Sequence, residues 1–292
     1  MKTLLSCSII LLVVLVGVQA NAQQTLVLFD DFKETFLDPS LWVGIESRQD
    51  PGIQILESVR QIQGGKLRLL NRVYTTNTAS DTGSFYGATR LVFKDGVDIT
   101  AIKATVQVKN LAVNGCSSNT APSQVRARLG GNFFNTGTPT PGSNLNDVQA
   151  TMYLRRASDS TDDPGVLEVA GLILRCEDAN CNTSTSLGSL DRNTLGTVKK
   201  GQAVDMLIEW NQATHRFIFQ QGKGKKILEG SVYYQDSPNW NPSWTDTQPP
   251  GHTYGGYKRF EVHNYVPNCT TQPPPLAFME AFFDNVYVNE IP

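Results

Sequence analysis

The strongest constraint on this chain is a hydrophobic period of two. Ile102, Ala104, Val106 and Val108 alternate with Lys103, Thr105, Gln107 and Lys109. Val125, Ala127 and Leu129 alternate with Arg126 and Arg128, and Val148, Ala150, Met152 and Leu154 with Gln149, Thr151, Tyr153 and Arg155. The same holds for Val204, Met206, Ile208 and Trp210, and for Phe260 and Val262 against Arg259, Glu261 and His263. Successive side chains of a strand point to opposite faces, so this pattern belongs to half-buried antiparallel strands. Turn-forming clusters separate the runs, as in Asn135–Asn146 and Asp236–Gly256. No long amphipathic helix and no fixed-period repeat interrupts them. The expected fold is all-β, an antiparallel two-sheet β-sandwich of the jelly-roll kind.

The first 22 residues stand outside that pattern. Lys2 precedes an apolar run from Ile9 to Val18, and Ala20-Asn21-Ala22 offers a small-x-small cleavage site. This reads as a signal peptide of an exported protein, extracellular or periplasmic, with no membrane span left after cleavage. Residues 23–292 then form one domain. Without Lys2, 24 basic residues face 27 acidic ones, a net charge of −3, which speaks against nucleic acid as a partner. Four cysteines remain: Cys116, Cys176, Cys181 and Cys269. An even count in an exported chain points to two disulfides, with three possible connectivities. The short segment Cys-Glu-Asp-Ala-Asn-Cys favours a stapled turn, Cys176–Cys181, which leaves Cys116–Cys269.

Several motifs recur in a recognisable order. Phe29-Asp30-Asp31-Phe32 opens the chain, then Leu37-Asp38-Pro39-Ser40-Leu41-Trp42 and Gly64-Gly65-Lys66-Leu67-Arg68-Leu69. Leu207-Ile208-Glu209-Trp210 is followed by His215-Arg216-Phe217-Ile218-Phe219, and Phe283-Asp284-Asn285-Val286-Tyr287-Val288 closes the chain. This order resembles the concanavalin A-like lectin and glucanase superfamily. The resemblance implies a twisted sandwich whose concave face holds a glycan; fold alone does not fix function. It also implies a structural calcium ion on the convex side, with Asp284 as carboxylate ligand and Gly65 as carbonyl donor. No other cofactor is expected. The Glu-x-Asp-x-x-Glu strand of the glucanases is absent, which argues against retaining glycoside hydrolysis.

The polar faces of three strands supply the candidate site. Arg126 and Arg128, then Tyr153 and Arg155, then Arg259 and His263 would converge if their strands share the concave sheet. Guanidinium forks suit carboxylate and sulfate groups. A polysaccharide or other glycan is therefore the expected partner, bound without catalysis at these residues. The alternative is a lyase acting on acidic glycans through His263, Tyr153 and Arg128; a third reading is a purely structural extracellular module. The loop Asp236–Tyr257 carries Trp240, Trp244, His252, Tyr254 and Tyr257 among prolines. It is either a second sugar-stacking platform, through Trp240 and Trp244, or a plug for one end of the sandwich.

Overall fold

The computed structural model describes residues 24–44, 50–252 and 258–290. The expected leader, 1–22, and the loop tyrosines Tyr254 and Tyr257 lie outside these residues. The strands in chain order are β1 (Leu26–Asp30), β2 (Trp42–Val43), β3 (Ile53–Ile62), β4 (Leu67–Thr75), β5 (Ser84–Phe93), β6 (Ala101–Val113), β7 (Gln124–Asn135) and β8 (Asp147–Ala157). They continue as β9 (Val166–Cys176), β10 (Ser184–Leu190), β11 (Thr197–Lys199), β12 (Ala203–Asn211), β13 (Arg216–Lys223), β14 (Lys226–Tyr233), β15 (Arg259–Pro267) and β16 (Leu276–Asn289). Among the described residues the α-helix is a single turn, Arg192–Leu195. No helix among them is long and apolar enough to cross a membrane.

Two eight-stranded sheets result. The first has the order β14-β13-β12-β6-β16-β4-β3, with β1 also on β16. The second has the order β10-β9-β8-β7-β15-β5-β2, with β11 also on β9. Every pairing is antiparallel, and many sheet neighbours are distant in sequence, as a jelly roll requires. The apolar half of each alternating run turns inward. Val125, Ala127 and Leu129 of β7 share one continuous core with Ala104, Val106 and Ile208 of the facing sheet. Trp42 and Trp210 are both buried in it.

Local chemistry explains the tight places. Gly64 and Gly65 have φ of +60° and +68° between β3 and β4, the doubly left-handed geometry of a two-residue hairpin turn. Gly130 lies flat in β7, where a Cβ would stand 2.2 Å from the Ala150 carbonyl oxygen. The two disulfides are Cys116–Cys269 and Cys176–Cys181.

Candidate functional site

The outer face of the second sheet is built from cross-strand rows. Residues directly opposite in antiparallel strands share a face, so register alone decides which polar side chains meet. Glu261 of β15 stands opposite Arg90 of β5 and Arg128 of β7. Next along the strand, His263 faces Ala88 and Arg126, and then Tyr265 faces Tyr86 and Gln124. In the other direction Arg259 faces Gly130. Across β8, Arg128 stands opposite Tyr153 and Arg126 opposite Arg155.

These rows floor a cleft of about 950 Å³, whose lining includes Arg90, Arg128, Arg259, His252, His263, Tyr86 and Tyr265. Loops 136–146 and 176–184 form one wall, and Asp50 and Pro51 the other. The Cys176–Cys181 bridge holds the first wall in place, and Asp178 accepts backbone hydrogen bonds from Asn180, Asn182 and Thr183 across it.

Glu261 is the centre of the site and is fully buried. Arg90 Nε donates to it at 2.7 Å, while Arg128 Nη1 and Arg259 Nε lie 3.2 Å away. Burial alone would raise its carboxyl, but the guanidiniums of Arg90, Arg128 and Arg259 hold it well below the ordinary carboxylate range. One buried carboxylate thus fixes three cations at the floor of an open cleft. Counting Asp50 as well, three guanidiniums face two carboxylates among the described lining residues and their support, an excess of one positive charge.

His263 shares this network. Its Nδ1 lies 2.8 Å from Arg128 Nη1. Arginine only donates, so Nδ1 accepts and the ring proton sits on Nε2. Glu261 is 3.6 Å from the same nitrogen, beyond hydrogen-bond range. Nε2 is buried without a partner among the described residues. Burial, reinforced by Arg128 and Arg126, pushes the imidazole down to about 3 against the pull of Glu261, so it is neutral. The ring lies 4.5 Å from those of both Tyr86 and Tyr265. His252, where the chain enters the cleft, is pushed down to about 4 by burial and by Arg259 and Arg90. Asp147 secures that entry by accepting from Gly251 N at 2.8 Å.

The residues expected from the sequence divide in three. Arg128, Arg259 and His263 meet in the cleft. Arg126, Tyr153 and Arg155 sit beside it on the same face. Arg126 is sandwiched between the rings of Tyr153 and Tyr265, 5.0 and 4.7 Å from their centroids. Arg155 is tied to Glu168 at 2.5 Å. Trp240 and Trp244 are half-buried against the core and do not line the cleft. Trp240 packs on Tyr234, and the Arg175 guanidinium covers Trp244 at 4.1 Å. Asp50, Asn144 and Asn180 escaped sequence reasoning, as did a pair on β5, Tyr86 and Arg90. The signal was their shared parity on one strand, obscured by Gly87-Ala88-Thr89 between them.

Asp284 lies on the other sheet, beside the Gly64-Gly65 turn. Its two carboxylate oxygens face Lys33 and Lys66, each at 3.9 Å, and Lys33 Nζ also donates to the Asp31 carbonyl at 3.1 Å. Calcium takes six to eight oxygen ligands. Here one carboxylate is already matched by two ammonium groups, and Gly65 brings only backbone. The Asp284 carboxylate and the Asp31 carbonyl are nevertheless oxygen donors of the kind calcium takes, and both face the same exposed Lys33 ammonium, at the outer limit of ion-pair distance from Asp284. Among the described residues the one set of three potential acid, histidine or cysteine ligands is Asp81, Cys116 and Cys269, whose sulfurs are bonded to each other.

No protein-family model and no curated protein matches the chain. Among solved structures it is similar to the exoplasmic/lumenal domain of VIP36 in its Ca2+/Man3GlcNAc-bound form, with a TM-score of 0.32 and 8% identity over 83% of this chain and 86% of that one. It is also similar to the winged bean acidic lectin complexed with methyl-α-D-galactose, with a TM-score of 0.30 and 12% identity over 90% and 99% of the two chains. The CBM2 module of the evolved Dit of Lactobacillus casei BL23 phage J-1 gives 0.34 and 9% over 92% and 99%. These values are too low for any function to be carried over.

Proposed function

We propose that this chain is an exported glycan-binding protein and that the cleft of the second sheet takes an acidic saccharide. The observation that carries the reading is the Glu261 hub. Three arginines are oriented by one buried carboxylate, so little side-chain freedom is lost when an anion arrives. Their forks match carboxylate or sulfate oxygens, and the half-buried ring of Tyr86 in the cleft lining adds apolar surface for a pyranose.

The same geometry favours binding over lyase chemistry. Proton abstraction needs a basic lone pair, and on His263 the lone pair of Nδ1 is engaged by Arg128 while Nε2 carries the proton. Tyr153 lies beneath Arg126 and does not line the cleft.

The test is a glycan array with the purified protein, run with calcium and with chelator. Selective retention of uronate-bearing or sulfated chains, equal in both conditions, is the expected result. Arg128→Lys keeps the charge but loses the fork, and should weaken that binding about tenfold, ~1.4 kcal/mol. Retention of neutral glycans only, or of none, would overturn the reading. Ultraviolet absorbance from an unsaturated product would instead establish the lyase.

A further inference from the structure

The loop that leaves β6 carries a reactive pair of residues. β6 ends at Val113, and Asn114-Gly115 follows, the one asparagine–glycine step in the sequence. Both residues are exposed and stand outside the strands. The chain is clamped on either side of them. Asn114 N donates to the Leu276 carbonyl at 2.9 Å, the Asn114 carbonyl accepts from Ser123 Oγ at 2.6 Å, and Cys116 is bonded to Cys269. Between these clamps neither the Asn114 amide nor the Gly115 N–H has a hydrogen-bond partner among the described residues. Packing requires the glycine. A Cβ at 115 would stand 2.8 Å from Ser158 Oγ, which already accepts from Ser123 N at 3.1 Å.

We infer that Asn114 is a site of spontaneous deamidation in the folded protein. The Gly115 nitrogen gives up its proton and attacks Asn114 Cγ. The new N–C bond closes a five-membered succinimide, the Cγ–Nδ2 bond breaks, and Nδ2 leaves as ammonia with the proton. Water then adds to one of the two ring carbonyls and reopens the ring as aspartate or isoaspartate. A side chain on the following residue would crowd the attack, and glycine has none. A nitrogen already donating would first have to give up its hydrogen bond, and Gly115 N has none to lose. Asn193 provides the contrast. It is also exposed, but its amide donates to Asp191 at 2.8 Å and the next nitrogen, Thr194 N, donates to the Asp191 carbonyl at 3.1 Å. Either product adds one negative charge. In isoaspartate the main chain runs through the former side chain, so it gains a methylene between two fixed points, and the carbonyl that Ser123 holds becomes a carboxylate.

The test is to age the whole folded protein in mildly alkaline and in mildly acidic buffer, then to map its peptides by mass spectrometry and label isoaspartate with an isoaspartyl methyltransferase. Conversion at Asn114 should exceed that at Asn193 by at least about tenfold, a barrier difference of about 1.4 kcal/mol. It should be faster in alkali, where the attacking nitrogen loses its proton more readily, and should yield isoaspartate together with aspartate. Asn114→Gln would have to close a six-membered ring, and should abolish the acidic isoform that ageing produces on isoelectric focusing. Circular dichroism before and after ageing confirms that the protein stays folded. Conversion at Asn114 no faster than at Asn193, aspartate without isoaspartate, or an acidic isoform that persists in Asn114→Gln overturns the inference.

Discussion

At the scale of single residues, Glu261 decides both the site and part of the stability. Placing a carboxylate at zero exposure is unfavourable unless its charge is matched, and here three guanidiniums match it. Removing one partner from such a cluster leaves buried charge without compensation. Glu261→Gln should therefore destabilise the fold by about 3–5 kcal/mol, read as a lower denaturant midpoint; a midpoint unchanged from the parent would show the arginines to be solvated independently of it. The pH dependence follows from the same groups. The imidazoles of His263 and His252 are depressed from 6.5 to about 3 and about 4. Below pH 6.5 the unfolded chain takes up protons that the folded chain refuses, so stability falls as pH falls from 6.5 toward 4. Glu261, charged in the fold well below its ordinary 4.5, adds a further loss once pH drops beneath that value. His263→Gln removes one of these groups and should flatten the decline between pH 6.5 and 4 in a melting-temperature series. An equally steep decline in the variant would place the acid sensitivity elsewhere.

Whole elements show how much of this was legible beforehand. Strands β7, β8, β12 and β15 could be read from alternation because each has one core face and one polar face. β5 could not, since Ala88 and Val92 on its outer face are as buried as Leu91 and Phe93 on its inner face. Its Tyr86 and Arg90 were lost with it. The direction of Trp240 and Trp244 was also illegible, because composition shows an aromatic loop without showing which way it folds. What turns it inward is the anchoring of Asp246 by His215 at 2.7 Å and Tyr234 at 2.5 Å, contacts made 31 and 12 residues away. The surroundings of Asp284 were hidden for a similar reason, since Lys33, Lys66 and Asp284 meet only in the folded sheet. The disulfides were readable, and they divide the labour. Cys116–Cys269 closes 153 residues and Cys176–Cys181 only five. The chain-entropy relation assigns them about 5 and about 2 kcal/mol. Replacing the first pair by serine should thus cost more melting temperature. Replacing the second frees the cleft wall that carries Asn180 and Asn182, and should cost more glycan affinity. The reverse ranking in calorimetry and binding would show that the short bridge does not shape the site.

For the molecule as a whole, the charge of the cleft and the charge of the chain have opposite signs. The net charge is −2, or −3 without Lys2, while the cleft floor carries an excess of guanidinium. Beyond a Debye length of about 10 Å at 0.1 M salt the two contributions are screened, but at low salt the net negative charge of the chain opposes an approaching polyanion at long range. Inside the cleft the contacts are partly shielded from solvent, so salt weakens them less than it weakens the long-range repulsion. Association with an acidic oligosaccharide should therefore hold steady or accelerate as salt rises from low to physiological levels, while dissociation also accelerates. This is the opposite of a protein that gathers polyanions on a basic surface, whose association slows steeply under the same change. Surface plasmon resonance with the oligosaccharide immobilised separates the two rates. A steep fall in the association rate would mean that the anion is drawn to cations outside the cleft, and that the Glu261 hub is not where it binds.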